Sequence, residues 1–210
     1  MKRSAMWMWV GMTALGVGCG GPPEEGPPAE APAPQEERIS QTILRQLPGG
    51  ELTQETTYIT RAEQLAQIAA REEYVRQIQS GAPRQLMAGL TIDSGCAGSS
   101  LWLFDQPNRT GRQLCLYKNP AEDYAFIDLG RVIRYYSPQP FPILLFWTAA
   151  VRSLWAGEDA GNMATCDNQT MACYSHAPYV PFNAWQQLND ISIAQIPGGP
   201  TGPNTVFLEL

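Results

Sequence analysis

The chain sets 20 acidic against 14 basic residues over 210 positions, for a formal net charge of −6, and it holds a single histidine. That balance argues against a protein that grips a nucleic-acid backbone, which needs a basic face. One histidine leaves little material for a zinc centre or for histidine-based acid–base chemistry, whereas 44% hydrophobic residues suffice for a buried core.

Residues 1–18 read as an export signal. Lys2 and Arg3 give a positive start, and residues 5–17 form an uncharged run too short to span a bilayer. The run ends in Leu15-Gly16-Val17-Gly18-Cys19, which resembles the lipobox of bacterial lipoproteins, with leucine one place earlier than that family prefers. The resemblance implies that Cys19 is lipidated and holds the chain by a membrane anchor at the bacterial cell envelope, facing outside the cytoplasm. An ordinary secretory cut would release it instead. An acyl anchor rests on about 0.8 kcal/mol per buried methylene, and stable attachment takes more than one chain. Residues 19–38, built from Pro, Glu, Gly and Ala, have almost nothing apolar to bury and are expected to be a disordered tether.

Residues 39–89 are expected to be a helical N-terminal segment. Thr60 and Glu63 have the spacing of a capping box. Leu65, Ile68, Ala69, Val75 and Ile78 recur at helical spacing, with Arg, Glu and Gln on the other face. Ser80-Gly81-Ala82-Pro83 then stops the helix. The stripe is broken at Glu72, which suits a helix packed on its own domain better than a coiled coil.

Residues 100–117 carry two alternating apolar segments around a polar turn that contains Pro107 and Asn108 and closes at Gly111. This pattern reads as a hairpin of half-buried strands. The spacing of Phe104 and Gly111, with Ser153 further on, resembles the Greek-key unit of the β/γ-crystallin superfamily. The resemblance implies that Gly111 takes a positive φ, that Phe104 covers the folded turn, and that the Ser153 hydroxyl ties back to it. It also implies that residues 122–129 cross between sheets. Arg109 stands where the family has a second aromatic. The likeness covers residues 96–157, and a second unit is expected to end near Ile196 with residues 188–193 as its closing strand. Leu154 and Gly161 hold the spacing of its turn without the aromatic. The expected fold class is therefore mainly β: a crystallin-like Greek-key β-sandwich over residues 90–196, preceded by the helical segment and followed by a tail at 197–210. Residues 141–151 are apolar, but short and interrupted by Pro142, and read as a buried strand. Calcium, which many microbial members of the superfamily bind, is not expected. Residues 148–153 read Thr-Ala-Ala-Val-Arg-Ser, with alanine in place of the acid and arginine beside the serine, and in the second unit Ile193 and Ala194 take the hydroxyl positions after Asn189-Asp190.

Cys96, Cys115, Cys166 and Cys173 form an even set in an exported chain, which points to disulfides. Three pairings are open, and loop size favours Cys96–Cys115 and Cys166–Cys173. A crosslink over fifteen to twenty residues is worth about 3 kcal/mol in the entropic account. Neither pair has the gap of a zinc knuckle, so no metal or cofactor is expected. His176 adjoins Ser175, but neighbours in extended chain point to opposite faces and make no dyad. Glu122-Asp123 and Glu158-Asp159 read as solvated loop charges rather than a glycosidase pair. Trp185, on an expected short helix at 182–188, reads as core. No catalytic residue emerges, and the chain reads as a non-enzymatic surface binding or structural module. The alternative follows from resemblance: a family of secreted bacterial peptidase inhibitors is built on a similar crystallin-like unit with two disulfides, which would make a secreted or envelope protease the partner.

Overall fold

Alternation of aliphatic and aromatic residues makes strands that are buried on both faces, and these organise the whole chain. The computed structural model describes residues 37–81, 95–137, 143–167, 173, 179–191 and 203–209. The export signal, Cys19, the tether as far as residue 36, His176 and residues 192–202 lie outside the described residues. The fold is mainly β, with several sheets and one helix: β1 (Arg38–Gln46), β2 (Leu52–Thr60), α1 (Arg61–Gln79), β3 (Leu101–Gln106), β4 (Thr110–Tyr117), β5 (Tyr124–Asp128), β6 (Ile133–Ser137), β7 (Ile143–Phe146), β8 (Ser153–Ala156), β9 (Ala160–Ala164), β10 (Tyr179–Phe182), β11 (Gln187–Leu188) and β12 (Thr205–Glu209).

A six-stranded sheet runs β11-β8-β3-β4-β1-β2, a four-stranded sheet runs β10-β9-β12-β5, and β6 and β7 pair alone. The two larger sheets share a rule. β3, β4 and β8 lie in the first and send β5 to the second; β9, β10 and β12 lie in the second and send β11 to the first. Each visiting strand pairs antiparallel with the other group's last strand, β5 with β12 and β11 with β8.

The inward faces of both sheets meet in one core, with Leu101, Leu103, Leu114, Leu116 and Leu154 from the first and Ile127, Met163, Phe182, Val206 and Leu208 from the second. The alternate residues Trp102, Phe104, Cys115 and Trp155 face the other way and make a second cluster with Cys96, against which Ile68, Val75 and Tyr117 pack. Trp102 and Trp155 stack with ring centres 6.4 Å apart, and the Cys96–Cys115 disulfide closes the cluster. The second bridge joins Cys166 to Cys173.

Helix α1 starts at the capping box: Thr60 Oγ1 accepts from Glu63 N, and Glu63 accepts the Thr60 amide in return. These hydrogen bonds, the Thr60 amide foremost, hold the exposed Glu63 carboxyl below its usual range. The seam of the helix keeps Ile68 and Val75 of the expected stripe but is centred on polar residues. Gln64 and Arg71 are its buried residues, while Leu65 is half exposed. Gln64 donates to Gly111 O and Gln113 Oε1 (both 2.9 Å), and Gln67 donates to Gln41 Oε1 at 3.0 Å. Arg71 Nη1 donates to Ala97 O at 3.1 Å and Ser99 O at 2.9 Å, and Nη2 donates to Trp155 O at 3.2 Å. A polar seam wins because the surface beneath it presents loop carbonyls and glutamine amides that need donors.

Four further expectations are corrected. The segment 39–89 is not wholly helical, because Thr- and Ile-rich runs either side of Pro48-Gly49-Gly50 form the β1–β2 hairpin, and β1 pairs parallel with β4. The tail 197–210 supplies β12, which lies between β9 and β5, so the second group closes there and not at 188–193, where Leu188 ends β11. Residues 182–188 form no helix; β10 ends at Phe182, a turn holds Trp185, and β11 follows. Within 141–151, β7 is exposed and Trp147 and Val151 are buried.

Arg71→Ala should lower the folding free energy by about 3–5 kcal/mol, because it strips a shared donor from several buried oxygens. Arg71→Lys should recover little, since one ammonium cannot reach both the 97–99 loop and Trp155 O. Chemical denaturation measures both, and a lysine variant of wild-type stability would refute this role.

Candidate functional site

The β3–β4 connection folds back on itself. Asn108 (φ 57°), Arg109 (φ 60°) and Gly111 (φ 78°) all sit in the left-handed region. Ser153 Oγ, opposite Phe104 at the start of β8, donates to Gln106 O at 2.7 Å and accepts from Arg109 N at 3.0 Å. Phe104 belongs to the aromatic cluster, with its ring centre 5.0 Å from that of Trp102. A side chain at Gly111 would overlap Asp105 Oδ1 and come within 2.8 Å of Gln106 Cγ. The Arg109 guanidinium lies 5.0 Å from the Trp155 ring centre and 3.4 Å from Glu72 Oε1.

The second group of strands has its own tie. Thr205 opens β12 opposite Ala164, as Ser153 opens β8 opposite Phe104. Beside it Asn204 Nδ2 donates to Cys166 O and Asn204 Oδ1 accepts from Cys166 N, both at 2.8 Å. Gly161 is no fold-over turn. It lies in β9, where a side chain would overlap Phe207 O and approach Phe182 Cζ to 2.9 Å.

A cleft of about 310 Å³ opens between α1, the 97–100 loop, the end of β4 and the β8–β9 turn. Tyr74 and Trp185 form its aromatic wall, edge to face with ring centres 5.6 Å apart. Trp185 is only half buried and sits at φ 63°, its amide donating to Gly157 O at 2.7 Å. The floor is polar. Lys118 Nζ donates to Glu122 O at 2.7 Å and lies 3.6 Å from Asp159 Oδ1, and the carboxylate is buried with it. Asp159 is therefore not the solvated loop charge that its sequence context suggests. Glu158, at the rim, accepts from Tyr74 Oη at 3.5 Å. Burial pushes the Tyr117 hydroxyl up, against the pull of Arg45 and Arg71, so it stays a donor and gives its proton to Gly95 O.

Among the described residues, no three His, Cys, Asp or Glu side chains gather as a metal site, and no helix is long and apolar enough to cross a membrane. Comparison of the chain with protein-family models, curated proteins and solved structures gives no match. Sequence reasoning named Trp185 as core and passed over Tyr74. The available signal was an aromatic beside a carboxylate pair, Tyr74 with Glu72-Glu73, but no sequence distance links it to Trp185.

Gly111→Val and Gly161→Val should both lower the thermal midpoint, for different reasons. The first forces a β-branched residue into positive φ, at roughly 1–3 kcal/mol, and the second drives a side chain into the β12 backbone. Calorimetry of both variants should show the losses, and a Gly111→Val midpoint equal to wild type would remove the fold-over turn from the account.

Proposed function

We propose that this chain is a non-enzymatic, crystallin-like lipoprotein domain, held on the bacterial cell envelope through Cys19, that acts as a surface binding module. Support for the crystallin likeness comes from the exchange of one strand between two groups of four, which is the pattern of paired Greek keys. The serine tie across a positive-φ hairpin is a second support. Arg109 fits as well, since its flat guanidinium covers Trp155 where an aromatic ring would otherwise lie.

The observation that carries the binding role is Trp185. A bulky side chain in the left-handed region is strained, and such strain persists where the surroundings over-determine it, commonly at ligand sites. Here it stands the indole against Tyr74 as the wall of a cleft with a polar floor. The polar groups of that cleft are paired, Lys118 with Asp159 and the Tyr74 hydroxyl with Glu158, which leaves the carboxylates further acceptor capacity. The matching ligand lays an apolar or planar face on Trp185 and offers donors to the carboxylates. Trp102, Trp147 and Trp155 are fully buried, so Trp185 dominates any ligand-dependent change in emission from the described domain. Titration with envelope saccharides and with short basic peptides should shift that emission in the wild type and leave Trp185→Ala unchanged at equal thermal midpoint. No response to either set would overturn the cleft as the binding site.

The peptidase-inhibitor reading is favoured by one observation: the Cys166–Cys173 bridge joins a buried half-cystine to an exposed one, so the crosslink reaches from the core to the surface. Titration against metallo- and serine proteases separates the readings, since stoichiometric inhibition would replace the first with the second. Cys19→Ser should abolish acyl labelling of the chain. Retained acylation would end the anchor assignment.

A further inference from the structure

The β6–β7 hairpin is the least protein-like surface of the fold. Ile143, Leu144, Leu145 and Phe146 are consecutive residues of β7, and all four are 39–51% exposed. Neighbouring residues of a strand point to opposite faces, so Ile143 and Leu145 stand on one side and Leu144 and Phe146 on the other. Tyr136 on β6 and Tyr58 on β2 add exposed aromatic rings. The hairpin is a separate two-stranded sheet, linked to β1 by Ser40 Oγ donating to Arg134 O at 3.1 Å and Thr42 Oγ1 to Ile133 O at 3.2 Å.

We infer that this hairpin immerses in the interfacial layer of a lipid bilayer. A protein partner docking on one face of β7 would cover two of the four apolar side chains and leave the others in water. A medium that surrounds the hairpin covers all four, and at interfacial depth water still reaches the backbone of the strand edges. Charge points to the same occupant. The sequence holds no carboxylate between Asp128 and Glu158 in a chain whose net charge is −6, and Arg131, paired with Asp128, keeps 83% of its side chain exposed, while Arg134 turns to Asp105. An apolar segment free of carboxylates, with tyrosines at its border and an exposed arginine beside it, suits headgroups over acyl chains. The inference goes beyond the anchor at Cys19, because the hairpin would meet the bilayer whether or not that cysteine is acylated.

The test places an environment-sensitive nitrobenzoxadiazole label at Leu145→Cys, and separately at Leu144→Cys, in the full chain carrying Cys19→Ser. In that background the introduced thiol is the one cysteine outside the two disulfides. Ala66→Cys, on the exposed side of α1, is the control. With vesicles of phosphatidylethanolamine and phosphatidylglycerol, both hairpin labels should shift to the blue and be quenched by spin-labelled lipid, while the Ala66 label stays unchanged. Water-like emission at the hairpin on vesicle-bound chain would overturn the inference. A shift at only one of the two positions would also overturn it, as would a concentration-dependent shift without vesicles, which would mean that a second copy covers the surface. Failure of the anchor reading alone appears as absent acyl labelling of the wild type, with these emission shifts intact.

Discussion

One buried cation fixes where the helix can lie. Arg71 is fully buried with no ion pair to a carboxylate among the described residues, and burial pulls its guanidinium down to about 9, so it is charged at neutral pH. Taking such a group out of water is costly unless its donors are met. Here the oxygens of Ala97, Ser99 and Trp155 meet Nη1 and Nη2, Nε alone having no partner among the described residues, and the ring centres of Trp155 and Trp102 lie 5.2 and 5.9 Å from Cζ. Those oxygens belong to the loop after the Cys96 half-cystine and to β8. One side chain therefore ties α1 to the disulfide loop and to a central strand. The glutamines complete the seam, with Gln113 on β4 donating to Gln41 on β1 at 2.6 Å and accepting from Gln64 on α1.

That seam explains why β3, β4 and β8 can be hydrophobic on both faces. Their leucines face the second sheet, and their aromatic residues face the helix, so neither side meets water. The strand exchange then makes the two sheets mutually dependent, since each closes on a strand sent by the other group. The two groups solve the same closing problem with different chemistry. A serine hydroxyl bridges a tight turn in the first, whereas an asparagine amide grips the Cys166 backbone in the second.

The parts of the site that were legible in the sequence are those whose physics is local. Gly111 and Ser153 stand out because a positive-φ turn and a hydroxyl tie leave a spacing that can be read. Trp185 and Tyr74 could not be joined in that way, because their meeting depends on how α1 is seated, and α1 is seated by polar residues. Of the apolar stripe, Ile68 and Val75 pack inward as expected, whereas Leu65 lies at the exposed edge of that face. Hydropathy counts Gln64 and Arg71 as solvent-facing, yet buried carbonyls make them the better seam. The β7 residues gave the opposite error, since a short apolar run reads as core unless the fold leaves it without cover.

By itself the sequence determined a mainly β chain with an N-terminal helix start at Thr60, a hairpin turning at Gly111, and cysteines whose loop sizes favour the two bridges found. Each of these rests on interactions between residues close along the chain, or on backbone conformations that few residue types permit. Tertiary structure alone decided that β1 enters the sheet beside β4, that β12 at the far end closes the second group, and that Asp159 is buried against Lys118. Those outcomes turn on partners tens of residues away, and hydrogen-bond and charge satisfaction between distant segments leaves no period in a sequence.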